Sequence, residues 1–306
     1  MFDYSYIIIP AIIVGIISRI SMLKSDYRQY PSYPQGVFSH FTLGIVSASL
    51  GAVAIPALAE KEFSAVTFLA LAAQQFRDVR SLERQSLDNI EPTELVSRGT
   101  AYIEDIAKAF EARNYMTMLT GLVVSAIIFF SEHFGVPTYY AIMSGVIGGV
   151  IAILFFNFAI KRDTVSKIAE VKPATITFEG PLLLINGIVI MNIGLKASRK
   201  IYLEKGIAVE INPYDANGVA TLANMGQRQA IQHNAATLLG IRKDVDEPDF
   251  TPIARRDPHT GKVVMAIVTM EPDVNCLVEA VKSTIVLESA KRRPLDSKTG
   301  RKAAKE

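Results

Sequence analysis

The chain has 306 residues, half of them hydrophobic, and its mean hydropathy of +0.26 is high for a protein in which a fifth of the residues are charged. The formal net charge is only +2, and the excess of basic over acidic residues lies in the tail, residues 291–306. This excludes the broad basic surface that nucleic-acid binding needs. The single cysteine, Cys276, excludes an intramolecular disulfide, and no HExxH or similar ligand spacing occurs, so we expect no metal and no cofactor.

Three apolar runs predict three transmembrane helices within residues 1–80. Residues 4–23 follow Met-Phe-Asp without a basic region or a small-residue cleavage site, which favours a retained helix over a signal peptide. Residues 36–58 carry no charge and are long enough to cross about 30 Å of hydrocarbon. The third run, residues 63–79, is the weakest, because glutamines and charged residues crowd its end.

Residues 81–114 predict a cytoplasmic helical connector. Pro92 divides it into two helices, since proline disfavours helix in the residue before it. Two further apolar runs, residues 115–131 and 139–160, predict the fourth and fifth transmembrane helices within residues 115–160.

Basic residues near the helix ends predict the orientation. Lys24 and Arg28 lie in the first loop, with Arg19 able to reach toward it, and Lys161 follows the fifth helix. Six more basic residues occur in residues 77–114, whereas the two opposite loops hold only Lys61. Five crossings with the N-terminus outside and the C-terminus in the cytoplasm satisfy all of these positions.

Small and polar residues within the predicted helices identify two candidate features. The first is a helix-packing seam at small-xxx-small spacing, which serves either packing inside one protomer or a homo-oligomer contact: Ser144, Gly145, Gly148 and Gly149. The second is a pair of candidate intramembrane polar residues, His40 and Asn157.

The connector carries Tyr-Ile-Glu-Asp-Ile-Ala at residues 102–107, which resembles the signature of the YIEGIA family. Asp105 stands where the family name has glycine, so we expect this position to face solvent or to tolerate a side chain. Further strings similar to the family's cytoplasmic half occur at residues 178–181, 188–194, 226–231 and 287–290. We select Tyr102, Glu104 and Asp105 as candidate interaction residues.

The resemblance covers most of the chain and implies a multi-spanning membrane protein of endospore-forming bacteria, associated with sporulation. The implied location is the bacterial cell or forespore membrane. The family carries no established chemistry that would assign a catalytic residue.

Residues 174–290 predict a small cytoplasmic α/β or α+β domain. The apolar runs 182–185 and 188–191 flank Asn186-Gly187, which is the strongest short hairpin signal, and the alternative of a sixth membrane element is short for a span. Helices at residues 196–205, 217–239 and 274–290 and strands at residues 207–211 and 263–270 complete the prediction, followed by a disordered basic tail from residue 291.

Helix 217–239 contains an amide-guanidinium set that predicts recognition of an anion or carbonyl, pairing with buried backbone groups, or exposure to water. Its candidate interaction residues are Asn224, Gln227, Arg228 and His233.

The sequence contains no nucleophile–base constellation, Walker loop or GxGxxG element, so we expect no enzyme. The favoured hypothesis is a non-catalytic scaffold or complex subunit whose cytoplasmic domain recruits a protein partner. The alternative is a subunit of a transporter or channel. Both hypotheses predict contact with membrane lipid.

Overall fold

The computed structural model describes residues 4–26, 34–244, 247–248 and 250–305, and the chain divides into two compact units. The first unit is Met1–Gln85 with Ile106–Lys161, and the second is Ser86–Asp105 with Arg162–Glu306. The residues predicted as a connector, 81–114, are divided between the two units. Arg28, used above for orientation, lies outside the described residues.

Five long helices lie wholly or mostly in the first unit: α1 (Ser5–Asp26), α2 (Pro34–Ala59), α3 (Phe63–Ile90), α4 (Thr100–His133) and α5 (Thr138–Ala159). Among the described residues, α1, α2, α4 and α5 are long and apolar enough to cross a membrane. The predicted count of about five differs from these four, because α3 turns polar from Gln74 onward and has too short an apolar stretch.

The connector's secondary structure also differs from the prediction. α3 continues to Ile90, the 3-10 turn Glu91–Thr93 follows, and the next helix begins at Thr100 rather than Thr93. That helix then runs without a break through the predicted boundary at Asn114, since no proline or glycine interrupts residues 100–120.

Polar contacts identify the helix ends that meet at one end of the first unit. The Tyr4 hydroxyl, beside the start of α1, donates to Glu60 beyond the end of α2 at 2.8 Å. Glu132, near the end of α4, accepts from Tyr6 of α1 and, at 2.9 Å, from Thr138 at the start of α5. α1 therefore runs antiparallel to α2 and α4, and α4 runs antiparallel to α5.

Small residues set the close approach of α2 and α4. A Cβ atom added at Gly51 would lie 1.9 Å from the backbone oxygen of Met118, and one added at Gly121 would lie 2.8 Å from that of Ala48. The Ser125 hydroxyl donates to the Ala52 carbonyl at 2.9 Å across the same contact. Close backbone approach of this kind is the usual way for helices to pack where lipid removes the hydrophobic driving force.

The second unit alternates short helices with strands. Its helices are α6 (Val165–Ile168), α7 (Lys196–Lys205), α8 (Ala216–Leu222), α9 (Met225–Leu239), α10 (Val274–Ser283) and α11 (Lys298–Ala303). Its strands are β1 (Ala169–Ala174), β2 (Ile176–Glu179), β3 (Leu182–Ile185), β4 (Ile188–Asn192), β5 (Gly206–Pro213), β6 (Lys243–Asp244), β7 (Glu247–Pro248), β8 (Ile253–Arg256) and β9 (Val263–Val268).

A four-stranded antiparallel sheet of order β1-β5-β9-β8 forms the centre of this unit. Successive residues of a strand point to opposite faces, so β9 divides its side chains between two cores. Val263, Met265 and Ile267 pack with α9 and α10, whereas Val264, Ala266 and Val268 pack with α7 and the second sheet, β2-β3-β4. The antiparallel sheets make the domain α+β.

The predicted hairpin is confirmed. β3 and β4 pair antiparallel, and both turn residues have positive φ, +48° at Asn186 and +79° at Gly187. The alternative of a sixth membrane element is thereby excluded for these residues.

Two helix predictions in this unit are wrong. Residues 217–239 form two helices, α8 and α9, because the Asn224 side chain caps α9 by accepting from the Gln227 amide. The last predicted helix ends at Ser283 rather than Ala290. The tail, predicted to be disordered, contains a 3-10 turn and α11, and the Leu295 amide donates to Asn217 at 3.0 Å.

We expect Gly51→Ala to destabilise the first unit by about 1–3 kcal/mol, because the methyl group meets α4 backbone that cannot move locally. The matched control is Gly148→Ala, whose methyl group would meet the flexible end of Ile127. Thermal unfolding of the full chain in detergent, followed by circular dichroism, measures both. Equal shifts in melting temperature would contradict the assigned close approach.

Candidate functional site

Residues 284–292, here called the C-terminal segment, follow α10 and lie against the chain that follows α5. The Val165 amide donates to the Thr284 carbonyl and the Val286 amide to the Asp163 carbonyl, each at 2.8 Å. This pairing places the C-terminal segment, which contains the 287–290 string, beside residues 163–165.

Asp105 joins this segment to the start of α4. Its side chain is 2% exposed, and one carboxylate oxygen accepts from the Glu288 amide at 3.1 Å. The other oxygen pairs with the Arg162 guanidinium, which also donates to the Asp105 carbonyl at 3.2 Å. Of the two expectations for position 105, solvent exposure is wrong, and a side chain is tolerated there because Arg162 and a backbone amide compensate a buried charge.

Gln227 also binds the C-terminal segment, through both atoms of its side-chain amide. It is fully buried, its amide nitrogen donates to the Ile285 carbonyl at 2.9 Å, and its amide oxygen accepts from the Leu287 amide at 2.8 Å. The side-chain amide thus makes the two hydrogen bonds that a neighbouring β-strand would make. It satisfies two backbone groups that burial would otherwise leave without partners.

His233 and Tyr102 bind the segment before α4 to α9. His233 Nδ1 lies 2.6 Å from the Val96 carbonyl, and its ring meets the Tyr102 ring edge-on at a centroid distance of 6.1 Å. Burial lowers the pKa of His233, so the neutral ring donates from Nδ1. Gln229 adds a 2.8 Å bond to the Ser97 hydroxyl.

Asn224 and Arg228 do not form the predicted convergent set on one helix. Asn224 caps α9, and Arg228 Nη1 donates to the carbonyls of Leu222 and Ala223 at 3.0 and 2.7 Å, at the end of α8. Of the two sequence interpretations, the contacts match pairing with backbone groups. Glu104, the remaining candidate in the signature, is half-buried.

Sequence reasoning missed a basic cavity beside the C-terminal segment. It measures about 320 Å³, and its charged lining residues are Lys167, Lys291, Arg292, Arg293, Asp163 and Asp215. Asp163 accepts from Lys167 and Lys291 at 2.9 and 2.8 Å, which lowers its pKa to about 2. The lining comes from three separate stretches of chain, so no local spacing in the sequence indicates it.

The intramembrane candidates have partners within the first unit. His40 Nδ1 lies 3.3 Å from Arg19 Nη2, and the Arg19 guanidinium lies 5.5 Å from the centre of the Phe110 ring. Arg19 is 1% exposed, so its side chain lies buried among these residues, and its reach toward the first loop stays a prediction. The Asn157 amide donates to the Ser21 hydroxyl at 3.1 Å.

The predicted seam on α5 contacts α4 and α1 of the same chain. Ser144 lies 3.2 Å from the Ser131 hydroxyl, and Cβ atoms added at the three glycines would meet Ile128, Ile127 and Val124, with Val14 also near the third. These contacts match packing inside one protomer, and the homo-oligomer remains a prediction.

We expect Gln227→Ala to loosen the C-terminal segment, because it leaves two buried backbone groups unpaired at about 1–3 kcal/mol each. Amide hydrogen exchange of residues 284–292 in the full chain measures the effect. Gln232→Ala, five residues along the same helix at a half-buried position, is the control and should leave exchange unchanged. Equal protection in both variants would refute the assigned role.

The comparisons with known proteins agree with these motifs. The family model described as YIEGIA protein matches residues 7–297. An uncharacterized protein of Bacillus subtilis (strain 168), YphB, is 42% identical over 297 residues, covering 97% of each chain. No solved structure matches. The chain belongs to the YIEGIA family.

Proposed function

We propose that this protein is a sporulation-linked membrane protein that acts as a non-catalytic scaffold or complex subunit. Its first unit lies in the bacterial cell or forespore membrane, and its second unit recruits a protein partner in the cytoplasm. The observation that carries the proposal is the use of the candidate interaction residues: Asp105, Gln227 and His233 all bind the domain's own backbone or its Arg162. Such residues maintain a recognition surface rather than transform a substrate.

We further propose that α3 is a fifth crossing beside the four more apolar helices. Its apolar part, residues 63–73, is about 17 Å long and shorter than the hydrocarbon core. Its start follows the Glu60 turn at one end of the first unit, and farther along the Phe76 ring meets Tyr115 edge-on at 5.4 Å. Arg80 then pairs with Glu111 of α4 at 3.3 Å. Packing against α4 along this length favours a crossing despite the polar end.

Five crossings support the predicted orientation, with the N-terminus outside. The basic residues of the long 77–114 stretch and those after α5 then lie in the cytoplasm, as the positive-inside rule expects.

The proposed recruitment surface is α7 with its N-cap Leu195, which presents apolar and basic side chains together, with Glu204 paired to Lys200. Leu195 and Leu203 are 67% and 59% exposed, and Lys196, Lys200 and Lys205 are also exposed. Apolar anchors within a basic rim fit a partner with an apolar patch and acidic margins.

For recruitment, we expect a photo-crosslinker at Leu203 of the full chain to give a discrete adduct in sporulating cells. Leu195→Ser abolishes the adduct, because it removes the neighbouring anchor. Leu238→Ser, at a similarly exposed leucine on α9, is the matched control and leaves it intact. Absence of an adduct, or loss of the adduct in both variants, would contradict recruitment through α7.

For topology, we expect Cys276 in intact protoplasts to react with a membrane-impermeant maleimide only after lysis. Cys276 is exposed, but Asp273 accepts its thiol hydrogen bond and raises the thiol pKa, so labelling is run at about pH 8.5. In a Cys276→Ser background, Glu60→Cys should react before lysis. Reaction of both positions on the same side would show that α3 does not cross.

A second candidate, a transporter or channel subunit, is favoured by one observation. Asn114 of α4 is fully buried, and neither side-chain amide atom has a hydrogen-bond partner. It lies one turn from Phe110, which contacts Arg19 and His40. A polar group of this kind inside a membrane bundle suggests a solute or ion path. Proteoliposomes that pass ions, with the flux lost in Asn114→Leu, would favour this candidate over the scaffold; impermeable liposomes would exclude it.

A further inference from the structure

We propose that the basic cavity of the second unit binds a phosphate ester, with an anionic phospholipid headgroup as its source in the membrane. The proposal goes beyond partner recruitment by α7, which uses a different surface. Only the choice of a lipid source rests on the proposed membrane location.

The cavity has the size and lining of a binding site. Its volume of about 320 Å³ lies at the lower end of the range for small-ligand pockets and accommodates a phosphate group with its alcohol. Asn217 contributes an oriented amide, because its oxygen already accepts from the Leu295 amide at 3.0 Å. The side-chain nitrogen of that amide is thereby directed to other acceptors.

The charges of the cavity favour an anion. Four of its lining residues are basic and two are acidic. Both acidic residues are occupied: Asp163 accepts from two lysines, and Asp215 caps α8 by accepting from the Gly218 amide at 2.8 Å. The two arginines therefore supply the charge available to a ligand.

The arginines are held in position to different degrees. Arg292 Nη1 donates to the carbonyls of Ser289 and Lys291 at 2.9 and 3.0 Å, which fixes its guanidinium at the rim. Among the residues that the structure describes, Arg293 makes only a 3.9 Å contact, with Asp296, and keeps most of its donors. A planar guanidinium binds two oxygens of one phosphate at once, which favours phosphate over a simple halide.

The covalent chain keeps this cavity close to a helix end. Asp163 follows Ala159, the last residue of α5, by four positions, so it lies within about 14 Å of that end. Where α5 crosses a membrane, this distance reaches the headgroup region, and the cytoplasmic leaflet is rich in anionic lipid.

The test uses the full chain, delipidated in detergent, with phospholipid binding followed by native mass spectrometry. The probes are phosphatidylglycerol, phosphatidylcholine and the soluble compounds glycerol phosphate and inorganic phosphate. We expect Arg292→Gln with Arg293→Gln to weaken phosphatidylglycerol binding at least about fivefold. The matched control, Lys298→Gln with Arg301→Gln on α11, removes the same charge outside the cavity and should change binding less than about twofold.

The outcomes separate the alternatives. Equal losses in both double variants, or no loss in either, overturn the cavity as a phosphate site. If glycerol phosphate competes with phosphatidylglycerol, and does so only when both arginines are present, the site is supported. A soluble ester is then assigned as the source of its ligand. The single variant Arg293→Gln should lower phosphatidylglycerol binding severalfold. It covers the case in which the double variant misfolds, because the Arg293 side chain is 58% exposed. If Cys276 is labelled from outside, the proposed topology is wrong. The measurements with glycerol phosphate and inorganic phosphate still test whether the cavity binds a phosphate group.

Discussion

The second unit depends on the buried carboxylate of Asp105. Burying a charge is costly unless a partner and hydrogen bonds compensate it, and Arg162 and the Glu288 amide supply both. Because Arg162 follows α5 and Glu288 lies far along the chain, one side chain fixes three remote stretches. Gln227 completes the arrangement by pairing with the backbone on either side of Val286. Three of the strings that mark the family therefore meet at one place: residues 102–107, 226–231 and 287–290.

The two units are stabilised by different physics. In the second unit, apolar residues on both faces of β9 form two cores, one with helices and one with a hairpin sheet. In the first unit, glycine and alanine let α2 and α4 approach until backbone touches backbone, which suits an environment that offers little hydrophobic gain. Several polar residues of that unit, such as Arg19 and Ser125, are buried between helices.

Local features of the fold could be predicted from the sequence, whereas long-range features could not. The hairpin at Asn186-Gly187 and the apolar helices follow from short patterns, and both were predicted. The break at Asn224 was not, because a capping side chain and a helix-interior side chain look alike in a sequence. Position 105 was expected to face solvent or to tolerate a side chain, because only the folded chain brings Asp105 together with Arg162. The same limit hid the cavity, although the basic cluster Lys291-Arg292-Arg293 was a signal that could have located it.

The central claim is that Asp105 and Arg162 act as one unit that fastens the C-terminal segment. A double-mutant cycle tests it most directly, with Asp105→Asn, Arg162→Gln and the double variant compared by the opening free energy of the Glu288 region in native-state hydrogen exchange. We predict a coupling of at least about 1 kcal/mol, because each single variant leaves an uncompensated buried group. Free-energy changes that add to within about 0.5 kcal/mol would contradict the claim.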